Sequence, residues 1–300
     1  MNIANKKPVI LFFLVILFNI GFWIPLTDCF SNDAKGIPPA ELSKQVKYSF
    51  TIQNKTNRLI ENGELFVYAP IAKNSFQTCT AIESSLPFQL IKNKNKNQVL
   101  FFLINDLPPF ATWVINLKAS IVYDSIPQKM DADNRQIYLL PEPYIESDHP
   151  EMIFLAKKLK ALDPLKTAQN IYDWVCAHIE YTGYLKHNLG ALYALKHKKG
   201  DCTEFMSLFI ALCRANNIPA RGIGGYVCTG NCLLMSNTWH NWAEFYVNGS
   251  WLMADCQKKV FARENSTYIA MQIISNDKNN PIKGHDRFRF QGTGLKVKMN

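Results

Sequence analysis

The sequence contains no paired C-x-x-C module, although eight of its 300 residues are cysteine. Structural zinc sites usually draw their ligands from such pairs at regular spacing. A site built from Cys228, Cys232, His240 and Cys256 would match no regular finger pattern, so we expect no metal, and a structural zinc protein is a disfavoured alternative. Cys228 and Cys232 flank a short Thr–Gly–Asn segment, a spacing that allows a small-loop disulfide in an oxidising compartment.

Charged residues are also scarce. They make up 19% of the chain, against 48% hydrophobic residues, and the net charge is +9. The lysines are scattered, and their densest run, Lys92–Lys96, is typical of a solvated hairpin loop. Because no basic face is interleaved with aromatic residues, we expect no nucleic-acid partner. The composition indicates an ordinary globular core, and the length favours two domains.

One long hydrophobic run lies at the N-terminus. Lys6 and Lys7 precede an apolar stretch from Val9 to Leu26, which is the layout of a secretory signal and approaches the length of a membrane span. We therefore predict a signal peptide or signal anchor over residues 1–28. The rest of the chain would be exported, either to the periplasm or cell exterior or as a membrane-anchored domain facing outward.

Short β-rich segments follow, from residue 45 to residue 125. The segment Val46–Ile52 alternates between apolar and polar residues, and turns rich in Pro, Asn and Gly separate the later segments. This spacing predicts a small all-β sandwich. Residues 126–150 show little periodicity and indicate a linker. Helical patterns and then strand patterns over residues 151–300 predict a second, α+β domain.

The stretch Gly200–Arg214 predicts a buried helix with a cysteine in its first turn. Asp201 is placed to cap this helix, and Glu204 to complete a capping box. Apolar residues behind them recur at 3.6-residue spacing. Because the positive end of a helix dipole stabilises a thiolate, Cys202 is a candidate nucleophile.

The dipeptide Asn248–Gly249 is the strongest hairpin signal in the chain. A two-residue turn there sets Trp242 opposite Asp255. His240 shares the face of Trp242, because side chains alternate along a strand. Asp255 should then lie diagonal to His240, roughly 5–8 Å away by backbone spacing, where its carboxylate can accept the imidazole N–H.

These side chains are the parts of an activated nucleophile. Cys202 would attack a carbonyl carbon. His240 would take the thiol proton, or already hold it in a thiolate–imidazolium pair, and would then donate it to the leaving amine. Asp255 would fix the ring tautomer. The backbone amide of Cys202 is a candidate oxyanion donor. Further candidates for contact with the substrate or the oxyanion are Tyr181, Trp242 and, as an alternative to Tyr181, Tyr184.

Five groups of residues carry a family resemblance. They are Gly200–Phe205, Arg214 with Ile218–Arg221, Gly225–Tyr226, His240–Glu244 and Trp251–Asp255. With the cysteine, histidine and aspartate 38 and then 15 residues apart, they resemble the core of the transglutaminase-like superfamily over about Leu155–Gln257.

The resemblance implies an α+β fold with a papain-like core, in which the cysteine helix packs against an antiparallel sheet. It makes residues 151–300 a transglutaminase-like catalytic domain and implies the same roles for Cys202, His240 and Asp255. Cys256 departs from the pattern, because the family usually has proline after the aspartate. The departure brings a second thiol close to the site.

The same resemblance implies an exported acyl-transfer enzyme that acts on peptide or isopeptide amide bonds through a thioester. We expect hydrolysis of a peptide or protein substrate without a cofactor. Cross-linking of glutamine to lysine is an alternative, although the chain has no Asp-rich loop for the calcium that animal transglutaminases use. A non-catalytic envelope module that binds a peptide is the alternative of another class.

Overall fold

The computed structural model describes residues 42–300 apart from 94–95, 131–134, 264–265 and 276–278. The predicted signal segment 1–28 lies outside the described residues. Along the part of the chain that is described, no helix has the length and apolar character needed to cross a membrane. Residues Ala40–Asn300 form one compact unit.

Helices and strands alternate irregularly along the described residues. The helices are α1 (Pro150–Leu159), α2 (Pro164–His178), α3 (Gly190–His197) and α4 (Cys202–Ala215). The strands before them are β1 (Leu42–Asn54), β2 (Gly63–Ala69), β3 (Gln77–Ser84), β4 (Gln89–Lys92), β5 (Gln98–Ile104) and β6 (Thr112–Tyr123). The later strands are β7 (Glu180–Tyr181), β8 (Lys199–Gly200), β9 (Ala220–Val227), β10 (Cys232–Leu233), β11 (Trp239–Val247), β12 (Ser250–Asp255), β13 (Val260–Phe261), β14 (Tyr268–Ile273), β15 (Phe288–Gln291) and β16 (Leu295–Met299).

Two sheets form the sheet-rich N-terminal part, and they are antiparallel apart from the parallel pairing of β10 with β1. One has the order β10-β1-β6-β3, with β16 also paired to β1, and the other has the order β15-β2-β5-β4. The alternating apolar residues of β1 are buried in a core that both sheets share, as expected for stacked sheets with one apolar face each. The run Lys92–Lys96 begins at the end of β4 and leads into β5, its antiparallel partner, as the hairpin interpretation predicts.

The C-terminal strands return to these two sheets. Leu295, Val297 and Met299 of β16 are buried, while the residues between them are exposed, and β16 pairs antiparallel with β1. Strand β15 pairs with β2. The structure therefore differs from a simple division at residue 151, because the chain leaves the β-sandwich and comes back to it. Short segments of four or five residues carry too little pattern to predict such a return.

The α+β part of the structure consists of helix α4 packed on a five-stranded antiparallel sheet. The sheet has the order β13-β12-β11-β9-β14. Residues 203–214 of α4 are buried on every side, which is more than the single buried face that an apolar repeat at 3.6-residue spacing predicts. Phe209 of α4 meets Phe245 of β11 edge to face, with ring centroids 5.7 Å apart. The predicted α+β fold, a cysteine helix packed on an antiparallel sheet, is confirmed.

Gly225 of β9 allows strand β14 to approach closely. A Cβ atom at this position would lie 2.0 Å from the carbonyl oxygen of Ile269 and 2.8 Å from the ring of Trp242. Neither the neighbouring backbone nor the buried indole can move away cheaply. A strand glycine of this kind marks the close passage of another backbone, as the sequence predicts for this glycine-rich strand.

We therefore expect Gly225→Ala to lower the free energy of unfolding by about 3 kcal/mol or more, the upper range for overpacking. The matched control is Gly230→Ala, where φ is +62° and no atom lies within 4 Å of the added Cβ. The control should cost only about 1–2 kcal/mol of backbone strain. Denaturant titration measures both, and equal losses would contradict the close-approach explanation.

Candidate active site

Helix α4 begins with the predicted capping box. The Asp201 carboxylate accepts the Thr203 amide at 2.7 Å, and the Glu204 carboxylate accepts the Asp201 amide at 3.0 Å. The same two carboxylates also accept the backbone amides of Leu185 and Leu189, at 3.0 Å and 2.8 Å. Burial raises the pKa of Glu204, and the hydrogen bonds from the backbone amides of Leu189 and Asp201 act against that rise. The cap thus fixes both the helix start and the loop beside it.

The hairpin that carries the histidine has the predicted register. Val247 pairs with Ser250, and the pairing continues without a break to Ala243 and Ala254. His240 and Asp255 therefore lie on one face, and Nε2 of the ring is 2.6 Å from Oδ2 of the carboxylate.

Asp255 lies behind the histidine and is 2% exposed. Its Oδ2 also accepts the phenol of Tyr268 at 2.6 Å, and its Oδ1 accepts the Lys258 amide at 2.9 Å. Burial pushes the pKa of Asp255 upward, but the hydrogen bonds from His240, Tyr268 and Lys258 outweigh burial and hold it below its usual value. An ionised carboxylate is only an acceptor. The proton of this pair therefore sits on Nε2, and Nδ1 is the ring nitrogen left to accept one.

Cys202 and His240 line one cleft of about 630 Å³. Burial raises the pKa of Cys202 to about 11, and the Asp201 carboxylate adds to that rise. The backbone N–H of Asn241 and the Thr203 hydroxyl donate hydrogen bonds to the sulfur, and these bonds lower the pKa of Cys202. The net pKa of Cys202 is therefore raised despite its position at the helix start, because burial and the nearby carboxylates dominate. The free site holds a neutral thiol, which needs a base to become a nucleophile.

Trp242 does not line this cleft. It is 3% exposed, and its ring lies 6.3 Å from the His240 ring at an interplanar angle of 24° and 5.0 Å from the Tyr268 ring. The prediction of a substrate or oxyanion contact by Trp242 is corrected, since the buried indole packs against the His240 and Tyr268 rings instead of facing the cleft. Tyr181 and Tyr184 do line the cleft, and Tyr181 is 51% exposed.

The sequence patterns assign no role to several residues that complete the site. Trp239 donates its indole N–H to Asn241 Oδ1 at 3.0 Å, and the Asn241 amide group donates to the Thr203 hydroxyl at 3.0 Å. This chain of bonds connects β11 to the first turn of α4. Arg287 also lines the cleft, although it is distant in sequence. The alternation of β11 could have suggested Asn241, but no local pattern indicates Arg287 or Tyr268.

Four other cysteines form one disulfide and one hydrogen-bonded pair of free thiols. Cys228 and Cys232 form a disulfide, so the zinc alternative loses two of its four ligands. Cys256 is buried, and its carbonyl accepts the thiol of Cys176 at 3.2 Å. A hydrogen bond from the Cys256 thiol lowers the pKa of Cys176, whereas burial holds the pKa of Cys256 well above its usual value.

Fold and site together define a papain-like α+β core whose cleft holds a cysteine beside a histidine–aspartate pair. Residues 153–256 match the family model of the Transglutaminase-like superfamily. The chain therefore contains a transglutaminase-like core, and the resemblance drawn from its motifs is confirmed.

The individual matches are either short or distant. A protein of Haemophilus influenzae without an assigned function is 36% identical over 95 residues, which is 30% of this chain and about a quarter (26%) of the relative. A Cytophaga hutchinsonii protein with a provisional assignment as a cysteine protease has a similar structure, with a TM-score of 0.53 at 18% identity. That similarity covers 86% of this chain and 92% of the other, and it shows the fold alone.

The periplasmic domain of TgpA from Pseudomonas aeruginosa is a more remote structure. It has a TM-score of 0.39 at 14% identity, over 71% of this chain and 90% of that one. At this distance it carries no argument about the present chain.

The raised pKa of Cys202 predicts how the thiol reacts with a small alkylating reagent. Below pH 11 the thiolate fraction falls about tenfold for each pH unit. The rate of Cys202 alkylation should therefore climb with pH and level off near 11, whereas Cys176 should level off at lower pH. Mass spectrometry of the two peptides measures both profiles. A Cys202 rate that is already level at pH 7 would contradict a neutral resting thiol.

Tyr268→Phe tests the support of Asp255. Loss of the phenol removes one of three hydrogen bonds that lower the pKa of Asp255, so that pKa should rise, as followed by NMR of the labelled carboxyl group. The rate at which Cys202 reacts with an electrophile should fall by up to about tenfold, because a hydrogen bond of about 0.5–1.5 kcal/mol that orients the Asp255–His240 pair is lost. Tyr246→Phe, a hairpin tyrosine whose hydroxyl bonds the Met130 carbonyl, is the control. An unchanged Asp255 pKa in Tyr268→Phe would remove this positioning role.

Proposed function

We propose that this protein is an exported acyl-transfer enzyme that hydrolyses peptide or isopeptide amides through a cysteine thioester. One observation carries the proposal: Cys202 lines the same cleft as His240, whose ring is bonded to Asp255 at 2.6 Å. A neutral thiol becomes nucleophilic when an adjacent base takes its proton. Nδ1 of His240 is the ring atom left for that task.

The proposed reaction has two steps. The Cys202 sulfur bonds to the amide carbon while its proton passes to His240, and the C–N bond breaks as His240 protonates the leaving amine. Water then attacks the thioester carbon while His240 takes a proton from the water, and the C–S bond breaks as His240 returns that proton to the sulfur and the acid is released. Asp255 stabilises the imidazolium in both steps. The Cys202 backbone amide and the Tyr181 hydroxyl are the proposed oxyanion donors.

Export is part of the proposal. It is supported by the basic and apolar pattern of residues 1–28 and by the Cys228–Cys232 disulfide, since such bonds persist mainly in oxidising compartments. Aminolysis by a lysine is an alternative fate of the same thioester, because the same residues form the intermediate in both reactions.

Covalent trapping tests the proposed nucleophile. A peptide vinyl sulfone should label Cys202 in the wild type and leave it unlabelled in Cys202→Ala. His240→Ala should slow labelling by about 10²–10⁴-fold, the usual contribution of a general base. Cys79→Ala, which removes a partly exposed thiol outside the site, is the matched control. Equal labelling of Cys79 and Cys202 would refute the nucleophile.

The products separate the alternatives. Incubation of a peptide amide with and without a primary amine should yield the free acid in both cases if hydrolysis dominates. An amine adduct as the main product would favour transfer. Peptide binding without any acyl-enzyme, detected by intact mass, would favour the non-catalytic module.

A further inference from the structure

The cleft of Cys202 and His240 adjoins a second cavity, and Arg287 lies where these two halves of a larger cleft meet. One half, of about 630 Å³, contains Cys202 and His240, and the adjoining half, of about 620 Å³, contains Asn188 and His285. Arg287 lines both. A substrate that reaches the thiol from the second half would therefore pass its guanidinium.

The guanidinium is held in place from two sides. Its carbon lies 5.3 Å above the Trp239 ring, and one Nη1–H donates to the Ser236 carbonyl. Trp239 is itself fixed by its bond to Asn241. An arginine has five N–H donors, so this anchoring leaves donors for a further ligand.

The charge of Arg287 has no carboxylate partner among the described residues. Arg214 and Arg221 have buried side chains and are both neutralised, Arg214 by Glu142 at 2.9 Å and Arg221 by Glu244 at 2.7 Å. Burial lowers the pKa of Arg287, but a guanidinium stays protonated in proteins. A half-buried cation without a counter-ion carries an uncompensated desolvation cost, which a bound anion would offset.

The surrounding charges favour an anion as well. Lys258 lines the half with the thiol, and Lys186 lines the other half. Two acidic residues line the cleft, and one of them, Asp201, already accepts backbone amides with both oxygens. The other, Asp286, is exposed. Cationic side chains with low-dielectric walls concentrate anionic substrates.

We propose that Arg287 binds a carboxylate of the substrate beside the amide that Cys202 attacks, which makes peptides with a free carboxylate next to that amide the preferred substrate class. The inference rests on the proposed function. Arginine matches a carboxylate through paired N–H donors. The carboxylate can come from an Asp or Glu side chain or from a peptide C-terminus, and the experiments below separate these sources.

Two alkylating reagents of nearly equal size provide the first test. In both iodoacetate and iodoacetamide the Cys202 thiolate bonds to the methylene carbon and releases iodide, and the two reagents differ in whether that carbon carries a carboxylate or an amide. The ratio of their rates at Cys202 cancels the thiolate fraction. We expect the rate with iodoacetate divided by the rate with iodoacetamide to fall at least tenfold in Arg287→Gln. In Arg287→Lys this ratio should be partly retained.

Arg289→Gln is the matched control, because it removes the same charge at a position two residues further along the chain. The Arg289 side chain is exposed and donates hydrogen bonds to the Pro281 carbonyl and to Gln291. Its ratio should equal that of the wild type. Equal ratios in the wild type and in Arg287→Gln would overturn the proposal.

Three peptides identify the source of the carboxylate. Acetyl-Ala-Glu-amide carries it on a side chain, acetyl-Ala-Gln carries it at the C-terminus, and acetyl-Ala-Gln-amide is neutral. Calorimetric titration of the Cys202→Ala variant measures binding without the thiol. One anionic peptide should bind at least tenfold more tightly than the neutral peptide, and Arg287→Gln should abolish that preference.

No preference for either anion would overturn the carboxylate site. The titration also keeps the two proposals distinguishable. If Cys202 resists every electrophile but the anionic peptide binds through Arg287, the nucleophile fails while the carboxylate site stands. If Cys202 forms an acyl-enzyme without any Arg287-dependent preference, the reverse holds.

Discussion

The hydrogen bond from His240 to Asp255 connects the register of one hairpin to the chemistry of the cleft. A slip of one residue between β11 and β12 would turn the two side chains to opposite faces of the sheet. Asp255 would then lose the imidazole donor, and a hydrogen bond to a charged group contributes about 1.5–3 kcal/mol. The Asn248–Gly249 turn and the shape of the site therefore select the same register.

Burial that shelters this pair also determines the state of the thiol. Asp201 and Asp255 both act to raise the pKa of Cys202, and burial raises it further. A thiolate beside two carboxylates in a partly dry cleft is unfavourable, so the proton stays on sulfur until a base can take it. Ionised Asp255 keeps Nε2 of His240 protonated and leaves Nδ1 able to act as that base. The position of Cys202 at a helix start is thus insufficient for activation.

Local patterns predicted the parts of the site that lie within single elements. The capping box of Asp201 and the hairpin face of His240 follow from spacing alone, because caps and two-residue turns impose their own geometry. Tyr268 and Arg287 could not be found in this way. Tyr268 meets Asp255 only because β14 joins the sheet beside β9, and strand order is a tertiary property. Trp242 was misassigned because parity gives the face of a strand but not the depth of burial.

The β-sandwich helps to form the wall of the cleft, which gives it a positioning role. Strand β15, which directly follows Arg287, pairs with β2, and Phe288 meets Phe50 of β1 with ring centroids 5.2 Å apart. Strand β10, which precedes Ser236 and Trp239, pairs with β1. The guanidinium is thus held between two segments that are both anchored to the sandwich. Because a binding group must be rigid to discriminate between ligands, the return of the chain to the sandwich explains how a cation so distant in sequence is fixed beside Cys202.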